Sequence, residues 1–346
     1  MNARWAFLAR LIFSGAVLYF CFRLAGDVDY LPILRGVQPG WFALAFLTSI
    51  VATVLTPASV AWYGSRIGSI RMSWARFVKL NFAMRFYTVM MPRGVATGMR
   101  WVRYQRVGRG DDALALMIFE VLVQLLISLA FTAVFLGWDA GRLPAGYSLL
   151  WYVSLAALAC AIIAILPFFN ARAAGLIEVP INLLLRVSPR IIGEKIERLW
   201  SSIVTFQRLK RVHGISILAI SATGKVIFVW SGVFQAHAMG IDAGFLILAW
   251  VRSVVYLLQM IPVTVAGVGV REASFIALLG GYGIARAEAL TYSLTLFFIQ
   301  ILIAVVGAVF ELYDIVAERS QGRTAAAKEP STAGASDQSE SRRRER

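Results

Sequence analysis

Charged side chains stand in this sequence where the surroundings are apolar. Arg85, Glu120, Lys225 and Arg252 lie in or beside long apolar runs, and Arg100, Arg271 and Glu272 close two glycine-containing segments. Those segments are "MPRGVATGMR" (91–100) and "IPVTVAGVGVR" (261–271). Each has a proline after an apolar run, then glycines, then an arginine. Pro92 precedes Arg100 by eight residues, and Pro262 precedes Arg271 by nine. Non-helical backbone at membrane depth is tolerated only where protein or a water-filled cavity satisfies it. Gly98, Gly267 and Gly269 would let such backbone turn and approach a ligand closely. A helix restarting after the glycine presents free N–H groups and a positive dipole end, which suit a phosphate. Arg100 and Arg271 stand at the expected restarts and would add a bidentate grip. Glu272 is expected to neutralise Arg252 or Lys225, or to meet an amine on a substrate. Glu120 and Gln124, four residues apart, share one helix face and form a second candidate pathway. The competing reading is that Pro and Gly only break a helix while the arginines snorkel to the interface.

Other chemistry lacks its constellation. His213 and His237 are the only histidines, and the topology below puts them on opposite sides, so neither a metal site nor an acyl-transfer His is expected. Asp27-Val28-Asp29 matches the Asp-x-Asp of metal-dependent glycosyltransferases, but on the side where nucleotide sugars are absent. Asp111-Asp112 lacks the third carboxylate of a prenyl-diphosphate site and is expected to open a helix, where acids favour the dipole. Cys21 and Cys160 both lie in apolar segments and imply no disulfide framework. The expectation is a non-enzyme with no cofactor and no metal.

The elements that must position these residues follow from composition. Apolar residues make up 59% of the chain and charged residues 15%, and mean hydropathy is +0.71. The apolar runs are continuous and do not alternate, so the fold class expected is all-α, a polytopic transmembrane helical bundle. Runs long enough to cross are 5–22, 41–63, 113–137, 148–169, 215–237 and 289–313. The N-terminal run reads as a retained first helix rather than a cleaved signal. The net charge of +15 would suggest nucleic acid in a soluble protein, but here the basic residues sit in short loops. Loops 64–80, 92–110 and 170–213 hold 17 lysines and arginines, whereas the others offer only Arg23, Arg35, Arg142 and Arg286. The basic loops belong in the cytoplasm, which puts both termini there. Regions 77–91 and 245–284 then have both flanks on one side and must enter and return. The result is two oppositely oriented re-entrant, broken-helix hairpins in an inverted repeat, the sequence pattern of a transporter site. Residues 191–211 read as an amphipathic helix on the cytoplasmic surface. The membrane domain spans 1–315, and 316–346 form a polar, disordered cytoplasmic tail.

"IPVTVAGVGVREASFIALLGGYGI" and "FYTVMMPRGVATGMRWVRYQRVG" resemble the flippase-like membrane domain of lysylphosphatidylglycerol synthases, over roughly residues 5–315. Two positions depart from that family. Gly98 is followed by Met99 where the family often has Asp, and Glu120 is followed by Val121 where it has Arg. The resemblance implies movement of a lipid or lipid-linked head group between leaflets. The lysyl-transferring enzymes carry a soluble catalytic domain, for which 346 residues leave no room. The function expected is an inner-membrane lipid flippase or transporter of the bacterial cytoplasmic membrane. Alternatives are a non-catalytic membrane scaffold for a lipid- or glycan-modifying enzyme, and a membrane-embedded transferase. The partner is a membrane phospholipid or a polyprenyl-phosphate-linked lipid and no nucleic acid, with a homodimer or a membrane enzyme partner left open.

Overall fold

A computed structural model describes residues 36–66, 69–91, 93–139, 146–169, 211–260 and 267–328, with isolated positions 19, 21, 23, 141, 175, 200 and 201. Among these the fold is helical, without strands. Five helices are long and apolar enough to cross a membrane. They are α1 (Pro39–Ser65), α4 (Gly110–Asp139), α5 (Gly146–Ile165, extended by a 3-10 turn), α6 (Arg211–Ala238) and α9 (Arg286–Lys328). Their apolar parts match the expected spans to within three residues at either end. The expected span 5–22, most of 191–211, Pro92, Pro262 and residues 329–346 lie outside the described residues.

Two helix pairs interrupt this series. Between α1 and α4 stand α2 (Trp74–Met90) and α3 (Arg93–Gln105), and between α6 and α9 stand α7 (Phe245–Met260) and α8 (Val270–Gly280). The 17 residues of α2 and 16 of α7 extend about 24–26 Å, short of a ~30 Å hydrocarbon core. Here the sequence expectation for residues 92–100 needs correction. That stretch is not a loop with a helix restarting at Arg100. Helix α3 begins at Arg93, so Arg100 lies two turns inside it. Isolated glycines are tolerated in a helix at modest cost, and Gly98 is not among the positive-φ glycines. Helix α3 is also amphipathic inside out. Ala96, Arg100, Arg103 and Tyr104 share its inward face, while Val95, Trp101 and Val102 are exposed on the other, the arrangement expected of a helix that meets lipid outside and polar groups inside.

The packing repeats with partners exchanged. Helix α2 packs along α9, and its counterpart α7 packs along α4. The same exchange relates α1–α2 to α6–α7, α2–α3 to α7–α8, α3–α4 to α8–α9 and α1–α4 to α6–α9, while α1 and α6 pack on each other. Each pair thus lends its first helix to the other half's span, which is how an internal two-fold places two hairpins in one interior. Small residues permit the closest contacts. A Cβ at Gly307 of α9 would overlap the Phe82 carbonyl of α2, and one at Gly224 of α6 would overlap Thr56 of α1. Separate cores fill the two halves, one around Phe77, Tyr104 and Phe119 and the other around Trp250, Phe275 and Tyr292.

Pro57 shapes α1. Without an N–H it cannot bond the carbonyl four residues back, and a π turn over Val51–Leu55 precedes it. The Thr53 carbonyl left by that break accepts from Arg85, at 3.1 Å from Nε and 2.7 Å from Nη2. At the other end, α9 continues through Lys328, past residue 316 where a disordered tail was expected. Alanine, lysine and glutamine are strong helix formers, and "SQGRTAAAK" prolongs the span.

Candidate functional site

A cavity of about 680 Å³ lies where the two halves meet. It is walled by residues of every described helix except α5. Arg85, Arg100, Lys225, Arg252 and Arg271 line it, with Glu120 as the one carboxylate among the described lining residues. The first and second candidate pathways of the sequence are therefore one site, because Gln124 also lines it.

In the first half, Arg100 is held from two helices. Its Nη1 donates to Glu120 Oε2 on α4 at 2.8 Å, and Nη2 donates to Asn81 Oδ1 on α2 at 2.8 Å. Tyr104 O–H donates to the other Glu120 oxygen at 3.1 Å. An arginine so engaged is not snorkelling. Glu120 is spent on protein donors, Gln124 follows one turn later, and Ser128 one turn beyond that holds Lys225 Nζ at 3.0 Å.

In the second half, the turn before α8 needs its glycines. Gly267 has φ 77° and Gly269 φ 90°, a region that side chains rarely adopt. The turn brings Gly269 N–H to Glu272 Oε2 at 2.6 Å, so a carboxylate from the helix itself caps α8. The end expected to receive a phosphate is thus occupied. Glu272 also accepts from Arg271 Nε, at 3.0 Å, and from its Nη2. Two further expectations fail there. Glu272 neutralises Arg271, not Arg252 or Lys225, and it does not line the cavity. Arg271 has already used its bidentate fork on Glu272. What remains is Nη1, buried and without a partner, on a residue 1% exposed. Ser293 Oγ and the Phe297 ring, 4.7 Å from the guanidinium, hold the rest in place.

Lys225 and Arg252 complete the wall. Both are buried, 6% and 3% exposed, and no described carboxylate pairs with either. Both lie over the ring of Phe228, with Lys225 Nζ at 4.9 Å and the Arg252 guanidinium at 4.1 Å from its centroid. Tyr256 stands 5.0 Å from Lys225 Nζ. Arg252 Nη1 reaches Tyr292 O–H at a long 3.4 Å, and Nε has no partner. Space for that guanidinium comes from Gly232, where a Cβ would collide with it. Of the other predicted residues, Gly98 is exposed on α3 with nothing near it and does not line the cavity.

Sequence reasoning missed the polar groups that hold these charges. Ser128 was visible as the continuation of a Glu120-Gln124-Ser128 stripe at four-residue spacing. Asn81 was visible as a polar break in an apolar run. It also missed two matching clusters away from the cavity. Glu311 on α9 accepts from Arg103 of α3 and from Tyr87 O–H of α2, the latter at 2.7 Å. On the counterpart helices, Asp139 of α4 accepts from Tyr282, just beyond α8, and Tyr282 accepts from Trp250 Nε1 of α7 at 2.7 Å. Glu311 is buried.

Residues 7–307 match the family model of the lysylphosphatidylglycerol synthase TM region. No curated protein matches the chain significantly. The match covers most of the chain, which therefore belongs to that family as a multi-pass membrane protein.

Proposed function

We propose that this family member is a lipid flippase or transporter, which carries the head group of a phosphate-bearing lipid through the cavity between leaflets. The observation that carries this reading is the charged wall inside an apolar bundle, to which both helix pairs contribute. Each charge in hydrocarbon costs at least ~2.5–3.5 kcal/mol on insertion scales, so a wall with five basic residues implies a polar occupant. Helices α2 and α7 are too short to cross alone, in keeping with hairpins that enter and return from opposite faces. The bias of basic loops supports an orientation with both termini in the cytoplasm, and the membrane of this reading is the bacterial inner membrane. The reading is one of transport without catalysis.

Purified protein in vesicles with fluorescent lipids in both leaflets tests it, with a membrane-impermeant quencher added outside. The expected result is quenching beyond the outer-leaflet fraction for at least one phospholipid or polyprenyl-phosphate lipid. A quenched fraction equal to that of empty vesicles for every head group tried would overturn it.

A further inference from the structure

Arg100 and Glu120 neutralise one another, and so do Arg271 and Glu272. Arg85 is engaged by the Thr53 carbonyl of α1, and what is left over is Lys225 and Arg252. These are adjacent, buried, on facing helices α6 and α7, and they share the ring of Phe228 rather than a carboxylate. A buried charge without a counter-charge is expensive, and a pair of like charges side by side more so. The remaining donors point the same way. Arg252 Nε and Arg271 Nη1 are buried N–H groups with no acceptor, on residues that line one cavity. Acceptors for a cation are scarce by contrast, since each Glu120 oxygen already takes a hydrogen bond from Arg100 or Tyr104.

From this we infer the charge class of the occupant: a lipid phosphate with no ammonium on its head group, seated between Lys225, Arg252 and Arg271 Nη1. The phosphate oxygens supply the missing counter-charge and the missing acceptors together. A head group bearing an amino-acid ammonium brings a cation to a wall whose described residues offer no free carboxylate, and is disfavoured. Aminoacylated phospholipids, the product class in the family's name, are then not the preferred cargo of this chain. The inference rests on the proposed transport reading for its lipid source, and the test separates the two.

Binding is measured with the full chain in phosphatidylcholine nanodiscs doped with phosphatidylglycerol, phosphatidic acid, phosphatidylethanolamine or lysylphosphatidylglycerol. Glycerol 3-phosphate in solution is the water-soluble arm. Phosphatidylglycerol and phosphatidic acid should bind roughly tenfold or more tightly than the two ammonium-bearing lipids. Lys225→Gln and Arg252→Gln should each shrink that preference, while Arg66→Gln, a basic residue outside the cavity stacked on Trp62, should keep it. Equal or tighter binding of lysylphosphatidylglycerol by the wild type overturns the charge class even if neither variant folds. Saturation by glycerol 3-phosphate at the affinity of the lipids overturns the lipid source. Selective binding without any translocation would sustain the charge class and remove the flippase reading. Translocation of lysylphosphatidylglycerol as fast as phosphatidylglycerol would do the reverse.

Discussion

The two helix pairs read alike in sequence and are built differently. In both, a proline, spaced glycines and an arginine follow a short apolar helix. In the first pair the glycines are absorbed into α3, and Arg100 reaches across to Glu120 on the neighbouring span. In the second the glycines make the turn, and Arg271 takes its counter-charge from the next residue. Both guanidiniums still reach one cavity. The difference is mechanical. Displacing α3 from α4 breaks the Arg100–Glu120 pair, whereas Arg271 and Glu272 travel together on α8. The first pair can therefore serve as a switchable contact, and the second is a rigid carrier of charge.

The largest effect should come from the rigid side. Glu272→Gln removes the carboxylate that pairs with a fully buried guanidinium and weakens the cap of α8. Loss of one partner of a buried pair costs ~3–5 kcal/mol. A large fall in the thermal-inactivation temperature of the detergent-solubilised protein is expected, and unchanged thermal stability would break the contrast. Arg271→Ala belongs to the same class and should lower stability as well as transport, since the residue sits in a packed helix rather than a loop.

Glu120→Gln should cost less, about 1–3 kcal/mol, because Arg100 is 24% exposed in its side chain and keeps Asn81 as partner. Its signature is functional. If the Arg100–Glu120 contact opens during the cycle, translocation should change more than lipid affinity does. A double-mutant cycle with Arg100→Gln should return a coupling of ~0.5–3 kcal/mol in stability. Additive effects would show that the pair is not an interacting unit.

What the sequence made legible is what insertion energetics constrain. The five described spans and the inward charges Arg85, Arg100, Glu120, Lys225, Arg252 and Arg271 could be read, because lipid tolerates few alternatives for either. Pairing could not. Adjacent helical residues do not normally face each other, so nothing suggested that Glu272 would turn back on Arg271. It does so because it reaches Gly269 N–H at the first turn, which draws its carboxylate beside the guanidinium. The Thr53–Arg85 contact was hidden in the same way, since Pro57 marks the freed carbonyl but not the side chain that takes it. Glu311 and Arg103 lie 208 residues apart, and only the exchanged packing of α2 on α9 brings α3 within reach.

Gly269→Ala sharpens the comparison at the backbone. With φ 90° and ψ −61° the position lies where side chains are strained, at a cost of ~1–3 kcal/mol. The turn would shift, and the Gly269–Glu272 hydrogen bond with it. The expected outcome is a moderate loss of thermal stability together with weaker lipid binding, because Arg271 Nη1 is aimed by that turn. Full retention of both would mean that the turn does not set the arginine's position.

Gly98→Ala is the matched substitution in the first pair, and its effect should be the smallest and of opposite sign. Gly98 lies within α3 with no atom near a Cβ placed on it. Alanine there removes backbone freedom from the unfolded chain and adds no clash, which stabilises a helix interior by about 0.5–1 kcal/mol. A small rise in thermal-inactivation temperature with unchanged lipid selectivity is expected. If residues 92–100 instead worked as a flexible, ligand-approaching loop, as the sequence motif suggests, the substitution would stiffen it and reduce translocation at unchanged stability. The two substitutions together therefore ask whether the resemblance between the motifs is one of function or only of composition. Opposite signs at Gly98 and Gly269 would establish that the first arginine is carried by a continuous helix and the second by a turn.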